Sequence, residues 1–289
     1  MSLVSIIIPC KNEGDLVEMT LNSMDNAKTG IDYEIIVVDD GSVDGCCGFL
    51  RGGSRPEKLV NTSGLGACQA RNEGARSARG EILVFCDGHV LVEDNWLDGL
   101  VEVLNRPGVG AVAPAIGDIN RSDAVGYGQT WNENLENKWL PWRNKSVYTV
   151  PLIPGGCMAI SREAFETIGG FDKGFKVWGH EDEEISLKLW LFGYKIYIHS
   201  DVLIRHYFRP KHPYSVSILQ VNYNFFRMVF SHLSEKRAAK AVDQLRESSK
   251  FSKVITEVIF SDVWKQRQDY FTRRQKSDDW FFTRFSIPF

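Results

Sequence analysis

Long apolar segments are absent from this chain of 289 residues. No uninterrupted apolar run approaches the ~18 residues that a membrane-spanning helix needs, so we expect no spanning segment. Residues 1–9 also lack a basic region and a cleavage site, and we interpret them as a first strand rather than as a signal peptide. Because 43% of the residues are hydrophobic, the chain can still bury the core of one large domain, with or without an appendage.

Cysteine pairs with metal-binding spacing are absent as well. The sequence has six cysteines but no CxxC pair, and only Cys46 and Cys47 are neighbours. We therefore expect free thiols in a reducing compartment, no zinc site built from cysteine, and a cytoplasmic location. Several of these residues lie in apolar strand patterns, where cysteine behaves as a small buried hydrophobe.

An even distribution of charge is the third feature that the chain lacks. Its net charge is -3, but residues 1–204 hold 18 Lys and Arg against 29 Asp and Glu, whereas residues 205–289 hold 16 against 8. Such polarity is typical of a basic face that contacts an anionic partner, here a membrane or another anionic surface. It is equally consistent with two parts of the chain that attract each other.

Buried strands are indicated by four short apolar runs, three of which are followed by a helical pattern. The runs are Val4–Pro9, Glu34–Val38, Lys58–Val60 and Ile82–Cys86. This alternation predicts an α/β fold with a Rossmann-like, mostly parallel sheet flanked by helices. Ligands of such sheets bind outside the carboxyl ends of the strands.

The pattern changes to helices after Pro213. We expect helices at roughly 214–233, 235–249 and 252–275, and therefore a sheet-based domain over 1–210 and a helical C-terminal appendage over 211–289. The first of these helices has an apolar stripe that includes Val221, Phe225 and Val229, so the appendage should pack on the core. The aromatic tail at 280–285 is expected either to dock on its own domain or to touch a membrane surface or partner.

Two polar clusters follow directly after predicted strands. Asp39 and Asp40 end the second strand, and Asp87-Gly88-His89 ends the fourth. Gly88 permits a tight turn between a carboxylate and an imidazole, two groups that can converge on one cation. The alternative is a strand that ends in a polar turn without a ligand. Between 118 and 149 the periodicity is weak, which in a stretch this long favours a functional loop.

Four motifs follow one another over residues 2–209: Ser5–Pro9 with Asn12 and Glu13, Val37–Ser42, Asp87–His89, and Trp178–Asp182. In this order and spacing they resemble the motifs of nucleotide-sugar glycosyltransferases of the GT-A fold, family 2 and its relatives. The resemblance implies a GT-A catalytic domain and transfer of a sugar from a UDP-sugar. The acceptor stays open: a glycan, a lipid-linked intermediate, a peptide or a modified nucleic acid.

The third motif departs from the DxD pattern of most family 2 members. His89 stands at the last position, as in the polypeptide N-acetylgalactosaminyltransferases, which pair a DxH motif with a later HxFR-like sequence. His206-Tyr207-Phe208-Arg209 matches that sequence here. The resemblance therefore implies that Asp87, His89 and His206 bind a metal, and two imidazoles favour Mn²⁺ over Mg²⁺. For His206 the alternative is a histidine that faces solvent after a strand.

The resemblance also implies a set of residues that contact the nucleotide sugar. They are Pro9, Asn12, Glu13, Asp39, Asp40, Arg71, Asp87, Gly88 and Trp178. Carboxylates at 39 and 40 can accept hydrogen bonds from the base and the ribose, and Arg71 can reach the diphosphate or a uracil carbonyl. The alternatives are a structural turn for the two aspartates, a solvated helix face for Arg71, and core packing for the tryptophan.

The last motif supplies the catalytic candidates, Asp182 and Glu181. We expect Asp182 to act as the general base, as in the inverting β-1,4-galactosyltransferases, and Glu181 to hold acceptor hydroxyls or fix the loop. A helix N-terminus should keep Asp182 ionised at neutral pH. The prediction is inversion, whereas the DxH and HxFR motifs favour retention.

Two other functions compete with this one. A non-catalytic module that binds sugar nucleotides or glycans would not need the base at position 182. A sugar-1-phosphate nucleotidylyltransferase would need a glycine-rich loop after the first strand, and no GxGxxG sequence follows Pro9. Both are therefore less consistent with the sequence than a glycosyltransferase.

Overall fold

Buried strands and the helices between them form the first part of the chain, as the apolar pattern predicted. The structure is a computed structural model and describes residues 3–53, 55–247 and 250–289. Its strands are β1 (Val4–Cys10), β2 (Tyr33–Asp39), β3 (Lys58–Asn61), β4 (Ile82–Cys86), β5 (Val90–Leu91), β6 (Val109–Asp118), β7 (Arg121–Gly126), β8 (Gln129–Trp131), β9 (Asn137–Trp139), β10 (Val147–Thr149), β11 (Cys157–Ser161) and β12 (Lys195–His206). Its helices are α1 (Leu16–Asn26), α2 (Ala67–Ser77), α3 (Trp96–Leu104), α4 (Arg162–Thr167), α5 (Glu181–Leu191), α6 (Ile218–His232), α7 (Glu235–Leu245), α8 (Phe251–Ile259), α9 (Val263–Arg273) and α10 (Asp278–Phe285).

The main sheet has the strand order β10-β12-β6-β11-β4-β1-β2-β3, with β5 paired to β12 and β7 to β6. β3, β2, β1 and β4 run parallel to one another, and β6 and β12 continue in the same direction. β11 lies between β4 and β6 and is antiparallel to both. The mostly parallel sheet is thus confirmed. The carboxyl ends of β1, β2 and β4 lie at one edge.

Alternation along β1 shows why helices cover both faces of the sheet. Ile6 and Ile8 pack in one hydrophobic cluster, which also holds Val17 and Leu21 of α1. Ile7 points to the opposite face, into the cluster that α2 and the C-terminal helices share. Successive side chains of a strand point to opposite faces, so a run of consecutive apolar residues requires cover on both sides.

The C-terminal helices pack on the core, since their buried side chains belong to that same cluster. Phe226 and Met228 of α6 are buried, and Trp190 of α5 lies 5.0 Å, ring to ring, from Phe285 of α10. Among the described residues every strand ends at or before His206. The division into domains at 210 stays a prediction, because α5 and the C-terminal helices share one hydrophobic cluster. None of the described helices combines the length and apolar character that crossing a bilayer requires.

Helix boundaries in this region differ from the sequence prediction in three places. The expected helix over 214–233 begins at Ile218 in α6, where Ser217 caps it. The expected helix over 252–275 is two helices, α8 and α9, because the chain turns at Phe260–Asp262. Arg227 binds this turn through Asp262 and Ser261. The expected helix over 235–249 ends at Leu245 in α7, and its last two residues lie outside the described part of the chain.

The aromatic tail forms α10, which the periodicity of the sequence had not indicated. Phe281 and Phe282 are buried and pack against Trp131, with ring centroids 6.0 and 6.1 Å apart. Ser277 caps the helix by accepting a hydrogen bond from the backbone N–H of Trp280. The aromatic tail therefore docks on its own domain, through Phe281 and Phe282.

Ion pairs join the acidic and basic parts of the chain. Arg227 and Asp172, both buried, lie 2.9 Å apart, and Lys176 pairs with Glu257. A further pair links Arg209 to Glu13. The pairs of Arg227 with Asp172 and of Arg209 with Glu13 follow the uneven charge and support the interpretation that it draws the two parts together, whereas the pair of Lys176 with Glu257 has the opposite sense.

Three of the six cysteines converge in space, which their spacing in the sequence had not indicated. Cys10 ends β1, and Cys46 and Cys47 lie in the connection after β2. Their sulfur atoms all lie within 4.8 Å of one another. The pairing of β1 with β2 and the loop after β2 bring together thiols that are far apart in sequence. The expectation of no zinc site built from cysteine stays a prediction. All six cysteines are free and buried.

Candidate active site

The metal-ligand candidates come together because β5 returns the chain to the end of β12. Asp87 directly follows β4, and its N–H donates to the carbonyl of Gly156. Val90 of β5 pairs with His206, and the N–H of Tyr207 donates to the carbonyl of His89. Two residues more than a hundred positions apart are thereby fixed as neighbours.

Asp87, His89 and His206 present one ligand atom each, and these atoms lie within 4.8 Å of one another. His206 Nε2 lies 3.2 Å from Asp87 Oδ2, and His89 Nε2 lies 4.0 Å from the same oxygen. The imidazole centroids are 4.6 Å apart. One carboxylate and two imidazoles that face a common point form a donor set suited to Mn²⁺. The residues therefore fit the metal that the motifs imply.

The carboxylate of Glu13 lies behind this group and orients His89. Glu13 Oε2 is 3.0 Å from His89 Nδ1, which leaves Nε2 directed toward Asp87. Arg209 donates to both oxygens of Glu13, so the carboxylate is held from the other side. Ligating histidines commonly donate their second ring nitrogen to a carboxylate in this way. The structure thus uses Glu13 beside the metal-ligand candidates, and its predicted contact with the nucleotide stays a prediction.

Arg71 is buried and connects the metal-ligand candidates to the helix that carries the catalytic candidates. It donates to Asp87 Oδ1 at 3.0 Å and to Glu181 Oε1 at 3.4 Å. Burial opposes the ionisation of Asp87, but the hydrogen bond from His206 and the charge of Arg71 outweigh it and lower the pKa of Asp87. Asp87 is therefore ionised throughout the neutral range, as a metal ligand must be.

Asp40 organises the loop that precedes α2. One oxygen accepts hydrogen bonds from the hydroxyl of Thr62 and the N–H groups of Gly64 and Leu65, and the other accepts from Gly66. Gly66 cannot be replaced without strain, because its φ is 89° and a Cβ would lie 2.9 Å from the backbone of Val177. Asp40 lines the cleft, and the hydrogen bonds to a nucleotide predicted for it stay a prediction.

The remaining nucleotide candidates divide into two groups. Pro9, Arg71, Asp87 and Trp178 line the cleft, and the indole of Trp178 is 38% exposed. Three others do not line it: Asn12, Asp39 and Gly88. Asn12 and Asp39 instead bond the loop after β2 through Val43 and Ser42, respectively, and a Cβ on Gly88 would contact the core. Their roles in binding stay predictions.

Asp182 lies in the first turn of α5, on the wall of the same cleft. Its Oδ2 accepts a hydrogen bond from the N–H of Gly155 at 3.2 Å. Burial, together with the negative charges of Glu183 and Glu181, raises the pKa of Asp182 to about 7. The expectation that the helix N-terminus keeps it fully ionised at neutral pH was wrong, because these two effects outweigh the helix dipole.

Glu181 lines the cleft, and both of its carboxylate oxygens accept hydrogen bonds from the protein. Its Oε2 accepts from the N–H of Gly179, and its Oε1 accepts from Arg71. His180, which precedes it, has a left-handed φ of 66° that turns the chain sharply into α5. Glu181 therefore fixes the loop, one of the two roles that we expected for it; contact with acceptor hydroxyls stays a prediction.

Sequence reasoning missed the two glycines that separate the base from the metal-ligand candidates. Gly155 contacts Asp182, and a Cβ on Gly156 would lie 2.9 Å from His206 Cδ2. Both glycines line the cleft, and the strand β11 begins directly after them. The Gly-Gly pair in front of a strand was the available signal, since adjacent glycines permit close approach of side chains to the backbone.

The cleft that holds these residues has a volume of about 1070 Å³. It extends from the loop before α2, past Asp87 and Asp182, to a wall of aromatic side chains that includes Trp139 and Phe208. Small-molecule sites commonly have volumes of ~300–1,000 Å³, so this cleft is large enough for a nucleotide sugar together with part of an acceptor.

Comparison with known proteins agrees with this fold. Residues 5–169, more than half of the chain, match the family model described as glycosyl transferase family 2. The chain therefore belongs to glycosyl transferase family 2. Residues 143–213 also match a model described as the N-terminal domain of galactosyltransferase.

Similar proteins include two polypeptide N-acetylgalactosaminyltransferases. Number 11 of Xenopus tropicalis is 30% identical over 238 residues, which are 74% of this chain and 39% of that protein. Number 8 of Drosophila melanogaster is 33% identical over 220 residues, 67% of this chain and 36% of that protein. The chain thus spans about two fifths of the length of these relatives.

A solved structure shares the fold. The crystal structure of GalNAc-T7 with UDP, GalNAc and Mn²⁺ superposes with a TM-score of 0.80 at 24% identity, over 99% of this chain and 57% of that one. This likeness confirms the predicted GT-A fold with its helical C-terminal part.

Proposed function

We propose that this chain is a metal-dependent glycosyltransferase that moves a sugar from a UDP-sugar to an acceptor. The observation that carries the proposal is the convergence of Asp87, His89 and His206 in one cleft with Asp182, across the segment Gly155–Gly156. A protein that only binds sugar nucleotides does not need a base whose pKa lies near neutrality.

Asp87, His89 and His206 would hold the metal. When bound, Mn²⁺ would supply positive charge that stabilises the departing diphosphate. Arg71 adds a second cation beside Asp87, and its buried guanidinium is already oriented by two carboxylates. Glu13 keeps the His89 ring in place, so the ligand set is formed before the donor arrives.

Asp182 takes the proton of the acceptor as the acceptor attacks the anomeric carbon. Its carboxylate is partly ionised at neutral pH, and the N–H of Gly155 orients one oxygen. Inversion needs a base on the face of the sugar opposite the diphosphate, and Asp182, which lines the same cleft as the metal-ligand candidates, is the carboxylate that we assign to that role. We therefore keep inversion as the proposed stereochemistry.

Retention is the second candidate, and two observations favour it. The similar proteins named above are polypeptide N-acetylgalactosaminyltransferases, and the chain shares with that group the DxH and HxFR motifs at Asp87–His89 and 206–209. If the transfer retains the anomeric configuration, the acceptor does not attack from the face opposite the diphosphate. Asp182 would then orient the acceptor and would not take its proton in such an attack.

The test is a screen of UDP-sugars for hydrolysis and transfer in the presence of Mn²⁺. UDP-N-acetylgalactosamine comes first, because its sugar is named in the relatives, and polypeptides come before glycans as acceptors because the same names specify a polypeptide. The proposal expects UDP release with at least one donor, and loss of release in Asp87→Ala. A nucleotide-sugar binder would bind the donor and release no UDP. A nucleotidylyltransferase would form a UDP-sugar from a sugar phosphate and UTP.

We also propose, as an extension, that the basic C-terminal part contacts an anionic surface at the periphery of a membrane in the cytoplasm. The excess of 16 Lys and Arg over 8 Asp and Glu in residues 205–289 supports this proposal. Co-sedimentation with vesicles that contain anionic lipid tests it, with neutral vesicles as the control. Equal binding to both would contradict an electrostatic contact.

A further inference from the structure

Three thiols meet beside the cleft, at the end of β1. Cys10 Sγ lies 3.1 Å from Cys47 Sγ, and Cys46 Sγ lies 3.7 Å from Cys47 Sγ. The three sulfur atoms come from two segments, since 37 positions separate Cys10 from Cys47. All three residues are buried, with exposures of 3%, 6% and 1% in chain order.

The polar surroundings of this thiol cluster (Cys10, Cys46 and Cys47) are sparse. Cys10 Sγ contacts the carbonyl of Val38 at 3.5 Å, and Cys46 Sγ contacts the hydroxyl of Ser42 at 3.4 Å. Over the part of the chain that the structure describes, no histidine or carboxylate joins this group of ligand atoms. A donor set made only of sulfur selects soft cations such as Zn²⁺ and Cu⁺, and it disfavours the hard ions that oxygen ligands prefer.

We propose that Cys10, Cys46 and Cys47 bind one thiophilic cation, Zn²⁺ or an ion of the same softness, as three thiolates. Binding of a dication displaces the three thiol protons, and the product of one dication and three thiolates carries a net charge of -1. A water molecule takes the fourth tetrahedral position, as in other zinc sites with three protein ligands.

The sulfur positions are close to those that such an ion requires. A Zn–S bond of about 2.3 Å places tetrahedral sulfur ligands roughly 3.8 Å apart. The distance between Cys46 and Cys47 already has this value, at 3.7 Å, while that between Cys10 and Cys47 has to open from 3.1 Å. A disulfide would use only two of the sulfur atoms, whereas an ion accounts for the convergence of all three.

The thiol cluster shares no ligand atom with the Asp87 site but adjoins the same cleft. Cys10 lines the cleft together with Pro9 and Lys11, and Glu13 follows three positions later. An ion bound to the thiols joins this loop to the connection after β2. Binding should therefore stabilise the fold and the cleft wall without contributing a ligand to the Asp87 site.

The experiment uses Cd²⁺ as the probe, because cadmium thiolates have a charge-transfer absorption in the ultraviolet that carboxylate and imidazole ligands do not produce. The full chain is reduced, freed of metal and titrated, and we expect the absorption to saturate at one ion per chain. Asp87→Ala should keep this absorption, which separates the thiol cluster from the metal site of the proposed function.

Variants identify the ligands. Cys10→Ala and Cys47→Ala should weaken Cd²⁺ binding by about 100-fold or more, since loss of an outer partner alone costs 10–100-fold. Cys68→Ala and Cys157→Ala remove buried thiols outside the cluster and should leave the titration unchanged. Circular dichroism checks that each variant is folded.

The measurement on the unaltered chain decides the proposal even if a variant fails to fold. No thiolate absorption in the reduced, folded chain would overturn it. Two other results would also overturn the proposal. One is an absorption that persists in a folded chain lacking both Cys10 and Cys47. The other is mass spectrometry that shows these cysteines to be oxidised under the reducing conditions. Competition of Zn²⁺ for the Cd²⁺ signal would support the assignment of the ion.

Discussion

His89 Nδ1 lies 3.0 Å from Glu13 Oε2, so a residue of the loop after β1 fixes the ring of a metal-ligand candidate that follows β4. Arg209 holds the same carboxylate from the end of the HxFR sequence. Four parts of the chain thus meet around the Glu13 carboxylate and the His89 ring: the loop after β1, the loop after β4, strand β12 and the segment that follows β12. Changes to residues that never touch the metal should therefore alter its affinity.

Glu13→Gln should lower the affinity for Mn²⁺ by about 10–100-fold, because loss of the charged partner loosens the His89 ring and lowers its basicity. Calorimetric titration of the purified protein measures this. Glu57→Gln is the matched control, since Glu57 is also a buried glutamate paired with an arginine but lies outside the cleft. An unchanged affinity in Glu13→Gln would show that the contact is only structural.

His206→Ala should weaken the Mn²⁺-dependent binding of UDP. The physical reason is the loss of one of three ligand atoms, with Asp87 and His89 left to hold the ion. Binding of UDP with Mn²⁺ and with excess EDTA, compared in the same assay, gives the measurement. His199→Ala changes a histidine of the same strand outside the cleft and serves as control. If UDP binds the unaltered chain equally well in EDTA, the metal proposal is wrong.

Gly156→Ala should weaken Mn²⁺ binding, because the new methyl group would lie 2.9 Å from His206 Cδ2 and push the imidazole out of position. Gly155→Ala is the neighbouring control. Its methyl group would meet Asp182 at 3.4 Å and should leave metal binding unchanged. The two variants together separate the metal side of the cleft from the base side. Equal Mn²⁺ affinity in both would argue against the position assigned to His206.

The pH dependence of transfer should report the ionisation of Asp182. Since its pKa is raised to about 7, the base form is the minority below pH 7 and dominates above it. We expect kcat/KM to rise about 10-fold per pH unit below neutrality and to level off above it. Asp182→Asn should lose transfer by about 10²-fold or more, lack this rise, and keep UDP and metal binding. The control is Asp201→Asn, which changes an exposed aspartate and should behave like the unaltered chain. If Asp182→Asn keeps the pH profile of the unaltered chain, Asp182 is not the base.

Product stereochemistry separates the two mechanisms. With Asp182 as the base for attack opposite the diphosphate, an α-linked donor should give a β-linked product. The anomeric proton coupling in the NMR spectrum of the product measures this directly. An α-linked product would show that Asp87–His89 and the HxFR sequence were the better guides to mechanism than the carboxylate at 182.

Much of the fold followed from the sequence alone, since local patterns are set by local physical preferences. Uninterrupted apolar runs such as Ile82–Cys86 require cover on both faces and so determine a mostly parallel sheet with helices on each side. Motif order placed Asp87 and His89 at a strand end, and the later HxFR sequence identified His206 as their partner by resemblance. The break between α8 and α9 and the docked helix α10 were missed, because the former depends on Arg227 and the latter on a surface around Trp131.

Only the tertiary structure decided which groups meet and in what state of charge. The pKa of Asp182 depends on burial and on two neighbouring carboxylates, and no sequence pattern measures burial. The meeting of Cys10 with Cys47 depends on the pairing of β1 with β2 and on the path of the loop after β2, which together join thiols that are far apart in the chain. Such contacts are non-local, and their energies follow from distance and desolvation rather than from the identity of adjacent residues.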